Sequence, residues 1–160
     1  MGNYEIGNFS ECSTRERMRY SGKDSERAAE QFLHRNNYHF QRYGLDSSNT
    51  TMNEAMKLAK HLRLKPDYIC KQLGGEYFLL EVKACGQHGL KIKLESITAL
   101  RQWKEKMPVM IFVYNGTTKK IALFTFGKLL ELIAGLNVQV WDDGKEFYQI
   151  NCGTITWQEL

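Results

Sequence analysis

The chain has 160 residues, enough for one domain with a hydrophobic core and too few for two domains of ordinary size. Its 42% hydrophobic and 25% charged residues are ordinary for a soluble globular protein. The net charge of +4 fits an anionic partner such as nucleic acid, but many equally basic proteins have no such partner.

No charged-then-apolar leader and no long apolar span stand out, so we expect neither export nor a membrane partner, and a cytoplasmic location. The cysteines Cys12, Cys70, Cys85 and Cys152 lack the paired spacing of zinc sites, which favours free thiols in a reducing compartment. Cys70 lies on an apolar strand and is expected in the core. A catalytic pair of Cys85 with His88, three residues away, is a weaker alternative.

The first twenty residues are polar and charged, which predicts a flexible or loosely docked arm. Basic residues recur at alternate positions along it, so an arm that binds phosphate is the alternative: Arg15, Arg17 and Arg19.

A helix is predicted over 25–35, where Ala29, Phe32 and Leu33 form an apolar stripe and Asp24 or Ser25 can cap the start. A strand is predicted over 38–43.

Residues 45–65 are interpreted as an insertion that begins as a loop and carries an extra helix. Its apolar residues recur at helical spacing, namely Met52, Ala55, Met56 and Ala59. Pro66 ends this helix, because the residue before a proline avoids the helical region.

A β-hairpin over 67–83 follows, and a helix is then predicted from the spacing of Ile97, Leu100, Trp103 and Met107. Strands over 109–114 and 121–126 are joined by Asn115-Gly116, a hairpin turn signal. A short helix over 129–134 precedes a tail, 136–160, with short edge strands predicted at 138–141, 147–150 and 154–157. This order predicts a single mixed α/β domain with a central mixed β-sheet flanked by α-helices.

The most informative motif lies in the predicted hairpin, where Pro66-Asp67 is followed thirteen residues later by Glu81-Val82-Lys83. Glu81 and Lys83 share one strand face, since side chains alternate with period two. Asp67 lies opposite Glu81 only if the turn is centred on Gly74, so we predict a loop of three or five residues. A two-residue turn would pair Asp67 with Val82 and turn the Asp67 side chain to the other face.

With that register, Asp67 and Glu81 could bind Mg²⁺ or Mn²⁺, while the Val82 carbonyl and waters complete an oxygen-rich shell. Lys83 could orient or deprotonate an attacking water, or stabilise charge that builds on a phosphate. The alternatives are a turn or cap role for Asp67 and a solvated Glu81–Lys83 pair on an edge strand.

Glu26 is expected on the core-facing side of the first helix, where a metal-bound water or Lys83 could serve as its partner. Glu30, one turn further on, is the second candidate. A helix N-terminal glutamate favoured by the helix dipole is the alternative for Glu26.

Together these residues resemble the PD-(D/E)XK nuclease superfamily. Gly22, Glu26 and Arg27 are similar to the first-helix motif of archaeal-type Holliday junction resolvases, and Pro66-Asp67 with Glu81-Val82-Lys83 is similar to their metal and catalytic motifs. The helix over 95–103 and the strand over 109–114 extend the resemblance, which covers about residues 22–126.

The resemblance implies a restriction-endonuclease-like fold and Mg²⁺-dependent hydrolysis of DNA phosphodiesters, with Mn²⁺ as a substitute. Asp67, Glu81, Lys83 and Glu26 would be catalytic, and Asp67, Glu81, Val82 and Glu26 would hold the metal. A resolvase acting on branched DNA in recombination or repair would be a homodimer, because two sites cut opposite strands. Compact nucleases of this superfamily are frequent in phages, so a phage origin is one expectation.

The chain departs from the resolvase pattern in two places. Ser96 stands where resolvases commonly have glutamine, with Gln102 as a substitute candidate, and the insertion over 45–65 lengthens the segment before Pro66. Another nuclease of the superfamily, acting in repair, restriction or flap cutting, is therefore the alternative. A non-cleaving nucleic-acid-binding subunit with a nuclease-like fold is the alternative of a different class.

Contacts with DNA are expected from basic residues that could neutralise phosphates: Lys65, Lys91, Lys93, Arg101 and Lys104. An ordinary solvated strand or helix face is the alternative for this group. Trp103 and Phe32 are expected in the core rather than as stacking platforms.

Overall fold

The computed structural model describes residues 14–44 and 64–160, with the backbone alone for residues 14–21. The extra helix predicted within 45–65 and the first thirteen residues of the predicted arm lie outside these ranges. None of the helices in the described part of the chain is long and apolar enough to cross a membrane.

The first helix, α1, spans Thr14–Arg35 and begins eleven residues before the predicted start. Residues 14–20 of the predicted arm therefore belong to a helix. Arginine, methionine and lysine continue a helix readily without adding an apolar stripe, so periodicity alone missed this part. Ser25 does not cap the helix, since its hydroxyl donates to the Gly22 carbonyl one turn back at 2.8 Å.

Eight strands are present in the described ranges: β1 (Tyr38–Arg42), β2 (Tyr68–Gln72), β3 (Tyr77–Cys85), β4 (Leu90–Lys93), β5 (Val109–Asn115), β6 (Ile121–Thr125), β7 (Gln139–Val140) and β8 (Glu146–Ile150). Five of them form a mixed sheet in the order β1-β2-β3-β5-β6. Only β3 and β5 are parallel in it, as the long connection between them requires. The predicted mixed α/β class is confirmed.

The β2–β3 hairpin has the predicted register. Tyr68 pairs with Leu80 and Lys71 with Tyr77, so five residues centred on Gly74 separate the last pair. The Gly75 N–H donates to the Gln72 carbonyl at 2.9 Å, and Gly74 has φ of +73° at the third position of this turn. That conformation suits glycine, and it sets Asp67 across from Glu81.

Two further helices flank the sheet: α2 (Leu94–Lys104) and α3 (Phe126–Ile133). The helix predicted over 129–134 begins three residues earlier, because the Thr125 hydroxyl caps it by accepting the Lys128 N–H at 3.1 Å.

The β5–β6 hairpin is confirmed, but its loop is longer than Asn115-Gly116. The Asn115 side chain accepts the N–H groups of Thr117 and Thr118, which stabilises a wider turn.

The five-stranded sheet separates two apolar layers. Ala29 and Leu33 of α1 pack with Leu80 and Phe112 on one face. The other face packs against α2, α3 and the second sheet through residues that include Leu79, Cys85, Leu100, Ile111 and Leu129. Because β3 side chains alternate, Glu81 and Lys83 share the second face with Leu79 and Cys85. The sheet thus positions the acid–lysine set beneath α2.

Of the three edge strands predicted in the tail, two are present, β7 and β8, and β7 lies at a sheet edge as predicted. β8 is the central strand of an antiparallel sheet with the order β4-β8-β7, and its Phe147 and Ile150 are buried. Residues 154–157 form no strand. Asn151 instead caps a 3₁₀ turn, Cys152–Thr154, by accepting the Gly153 N–H at 2.8 Å, and Gln158 makes a single β-bridge to Ile121.

The turn before β4 depends on Gly89, which allows a stability test. Its φ is +91°, and a Cβ placed there would lie 2.4 Å from the Ile150 carbonyl oxygen of β8. Gly135 has a similar φ of +81° with open space around it. We expect Gly135→Ala to cost about 1–2 kcal/mol for backbone strain, and Gly89→Ala to cost at least about 3 kcal/mol, since the clash adds to the strain. Urea unfolding measures both, and equal losses would contradict the contact with β8.

Candidate active site

Asp67 is held at the start of β2 by its neighbours on both sides. Its backbone carbonyl accepts the N–H groups of Tyr43 at 2.8 Å and Gly44 at 3.2 Å, next to β1. Its carboxylate oxygen Oδ2 accepts the Val82 N–H of β3 at 2.7 Å. The side chain therefore reaches across the hairpin to the strand that carries Glu81.

Glu81 and Lys83 form an ion pair on β3. Lys83 Nζ donates to Glu81 Oε1 at 2.5 Å, and the two side chains are only 23% and 11% exposed, respectively. Because β3 lies in the middle of the sheet, the pair is not a solvated pair on an edge strand, and that alternative is wrong. Asp67, Glu81 and Lys83 meet at one point of the molecule, as the hairpin register predicted.

The pKa of Asp67 is unusually high for an aspartate side chain, and the pKa of Lys83 is raised as well. Burial raises the pKa of Asp67 to about 8, and the neighbouring Glu81 adds to the rise, while Lys83 and the Val82 N–H oppose it. For Lys83, burial lowers the pKa, but Glu81 and Asp67 together outweigh it, so its pKa is raised. In the metal-free protein Lys83 is therefore an ammonium at neutral pH, able to orient a water or stabilise a phosphate.

These three side chains open into a cleft of about 170 Å³. The cleft lies between the end of β1 and α2, and it is lined by Gly44, Leu64, Lys65, Asp67, Glu81, Lys83, Ser96 and Leu100. The position that departs from the resolvase pattern, Ser96, therefore does face the site. Gln102 is exposed and is not among the residues that line the cleft.

Glu26 is engaged by an arginine that the sequence analysis missed. Arg42, at the end of β1, contacts Glu26 Oε2 at 3.3 Å and Glu30 Oε1 at 2.8 Å. The Tyr68 hydroxyl also donates to Glu30 at 2.8 Å. The partner of Glu26 here is thus Arg42, not Lys83. The sequence does contain a signal for this contact. Two glutamates lie four residues apart on α1, and an arginine ends the next strand, which together indicate an ion-pair cluster.

The residues present fit a hard divalent cation. One oxygen of each carboxylate is already used, Asp67 Oδ2 by Val82 and Glu81 Oε1 by Lys83, which leaves Oδ1 and Oε2 without a hydrogen bond among the described residues. Mg²⁺ typically binds one or two carboxylates and keeps several waters. No group of three or more His, Cys, Asp or Glu side chains converges within the described ranges.

The predicted DNA-binding residues all lie outside the apolar core. Lys91 and Lys93 occupy the exposed positions of β4, and Arg101 and Lys104 are exposed on α2. Lys65 lines the cleft, with Nζ 4.9 Å from the centre of the Tyr43 ring. Trp103 and Phe32, expected in the core, pack against the two apolar layers.

The cysteines do not form the catalytic pair considered above. Cys70 is 1% exposed and lies in the core, as expected. Cys85 is buried and contacts Cys152, while His88 is exposed and bonds to Gln87. A Cys85–His88 pair therefore has no support in the geometry.

Comparison with known proteins adds no identification. No protein-family model matches the chain, and no curated protein is similar enough in sequence to match it.

The buried Asp67 makes the stability of the metal-free protein depend on pH. Its carboxyl ionises near 3.8 in the unfolded chain but near 8 in the folded one, so ionisation favours unfolding as pH rises between these values. We expect Asp67→Asn, which can keep the Val82 hydrogen bond, to be more stable than the wild type at pH 8 by at least about 1 kcal/mol. Urea unfolding in EDTA from pH 5 to 9 measures this difference.

The exposed carboxylate of Asp143 provides the control for this test. Lys145 lowers its pKa by hydrogen bonding, so Asp143→Asn should not gain stability at alkaline pH. Parallel pH profiles for the wild type and Asp67→Asn would contradict the buried, protonated state of Asp67.

Proposed function

We propose that this protein is a metal-dependent endonuclease of the PD-(D/E)XK type that hydrolyses DNA phosphodiester bonds. One observation carries the proposal: Asp67, Glu81 and Lys83 come from two hairpin strands and converge in a single cleft. Asp67 holds a proton in the metal-free protein at neutral pH, and a divalent cation bound between Asp67 and Glu81 would take the place of that proton.

Each residue has a distinct role in this proposal. Oδ1 of Asp67 and Oε2 of Glu81 would hold Mg²⁺, or Mn²⁺ in its place, and the Val82 carbonyl remains a proposed ligand. The bound cation would polarise a phosphate oxygen and the attacking water. Lys83, kept protonated by its carboxylate neighbours, would orient that water or stabilise the charge that develops on the phosphate. The Glu26 carboxylate would assist once released from Arg42.

The small residues around the cleft leave room for a DNA backbone. A Cβ on Gly44 would lie 3.3 Å from Asp67 Cα and 3.6 Å from Asp67 Oδ1, so a side chain there would crowd the carboxylate. Ser96 occupies little space on the α2 side, and Lys65 adds a positive charge at the rim. These features support access of a phosphodiester to the two carboxylates.

The resolvase form of the proposal, a homodimer acting on branched DNA, rests on the motif resemblance of Glu26, Asp67, Glu81 and Lys83. The alternatives within the same superfamily are repair, restriction-like and flap nucleases, which use the same chemistry on different DNA shapes. A comparison of cleavage rates on different DNA substrates therefore separates the resolvase from these alternatives.

The central test is cleavage of a four-way junction, a flapped duplex and a linear duplex in Mg²⁺. We expect Lys83→Ala and Glu81→Gln to lose at least about a hundredfold in rate, because the first removes the ammonium and the second a metal ligand. An exposed ion pair on α3, Lys128–Glu131 at 2.9 Å, offers matched controls. Lys128→Ala and Glu131→Gln should cleave like the wild type.

Each outcome of this test has one meaning. Activity that survives Lys83→Ala and Glu81→Gln would reject the proposed site. Equal cleavage of all three DNA forms would reject the resolvase assignment and keep the nuclease. Binding without cleavage in both Mg²⁺ and Mn²⁺ would favour a non-cleaving nucleic-acid-binding subunit.

The basic face of β4 is tested separately, through the salt dependence of DNA binding. Lys91 and Lys93 point away from the core, so both could neutralise phosphates. We expect each alanine substitution to reduce the slope of log Kd against log salt by about 1, measured in EDTA with a fluorescent duplex. Lys128→Ala on α3 serves as the control, and an unchanged slope for Lys91→Ala and Lys93→Ala would remove β4 from the DNA-binding surface.

A further inference from the structure

Two thiols that are distant in sequence meet at the end of the strand that carries the candidate site. The Sγ atoms of Cys85, on β3, and Cys152, in the 3₁₀ turn after β8, are 3.7 Å apart although 67 positions separate the residues. A disulfide requires about 2.05 Å between the sulfurs, so a movement of less than about 2 Å would join them. We propose that Cys85 and Cys152 are a peroxide-sensitive dithiol that closes to an intramolecular disulfide.

The surroundings give the two thiols different roles. Cys152 is partly exposed and lines an open cleft of about 420 Å³, together with Gln87, His88, Gly89, Gln139, Gln149 and Asn151. A small oxidant can therefore reach Cys152 from solvent. Cys85 is 8% exposed, and burial raises its pKa to about 12, with the neighbouring Cys152 adding to the rise. Cys152 is thus the thiol that meets the oxidant, and Cys85 is the thiol that resolves the product.

The protein also restrains the position of the Cys152 sulfur. Sγ lies 3.6 Å from the Gly86 carbonyl oxygen and 3.9 Å from Asn115 Nδ2. The Trp157 indole N–H donates to the Cys152 carbonyl at 2.9 Å, which anchors the backbone of the turn. These contacts hold the sulfur beside Cys85 before any oxidation.

The chemistry balances with a hydroperoxide as the oxidant. The Cys152 thiol releases its proton, the thiolate attacks one peroxide oxygen, and the O–O bond breaks. The sulfur becomes a sulfenic acid, and the leaving hydroxide takes up the released proton to form water. The Cys85 sulfur then attacks Cys152 Sγ, the S–O bond breaks, and the departing hydroxide takes the Cys85 proton as a second water. Two thiols and one hydrogen peroxide thus give one disulfide and two waters.

The disulfide would connect the two sheets of the molecule covalently. Cys85 ends β3, two residues after Lys83, and Cys152 lies two residues after Ile150, the last residue of β8 in the second sheet. Because the closed loop is long, the bond should stabilise the folded chain by restricting the unfolded one. This inference concerns redox chemistry of the fold and does not depend on the proposed nuclease activity.

The test treats the full chain with a small excess of hydrogen peroxide and follows its intact mass. We expect a loss of about 2 Da, reversed by dithiothreitol. Each cysteine falls on its own tryptic peptide, 1–15, 64–71, 84–91 and 146–160, so the linked pair is identified directly. The expected product joins 84–91 to 146–160, and the oxidised protein should melt roughly 10 °C higher than the reduced one.

Variants separate this pair from the other thiols. Cys152→Ser and Cys85→Ala should each abolish the mass loss, whereas Cys70→Ser and Cys12→Ser should keep it, with circular dichroism confirming that each variant folds. Any of three results would overturn the inference: oxygen added to Cys152 with no crosslink, a crosslink to the peptide 1–15, or a lower melting temperature after oxidation.

Discussion

The hydrogen bond from the Val82 N–H to the Asp67 carboxylate is the contact on which the candidate site depends. It forms only because the β2–β3 turn is centred on Gly74, which brings Asp67 beside Glu81. A register shifted by one residue would turn Asp67 to the α1 face of the sheet, since side chains alternate along a strand. The turn geometry therefore decides whether the two acids and Lys83 can meet.

The meeting of these groups has an energetic cost that the rest of the fold offsets. Burial, with Glu81 adding to it, raises the pKa of Asp67 to about 8, so this carboxyl holds a proton in the metal-free protein at neutral pH. Apolar layers on both faces of the sheet, with Phe112 and Ile111 fully buried, supply stability elsewhere. A carboxyl whose pKa is strongly raised inside a cleft is typical of functional sites, and a cation that binds there would displace its proton.

The regular parts of the chain were predictable where local signals are strong. The β2–β3 register followed from period-two alternation and the glycine turn. Local sequence patterns did not predict the part of α1 before Gly22, because the residues there extend the helix without forming an apolar stripe. In the tail they predicted the strands β7 and β8 but not the central place of β8, because strands from elsewhere in the chain decide whether a segment is central or peripheral.

The sequence by itself determined the acid–acid–lysine set and the face on which it lies, because both depend on spacing within one hairpin. Tertiary structure alone decided how deeply that set is buried, that Arg42 holds Glu26 and Glu30, and that Cys85 meets Cys152. Each of these contacts joins residues from separate elements. Residue spacing carries no information about such distances, which arise only when the sheets and helices pack around a common core.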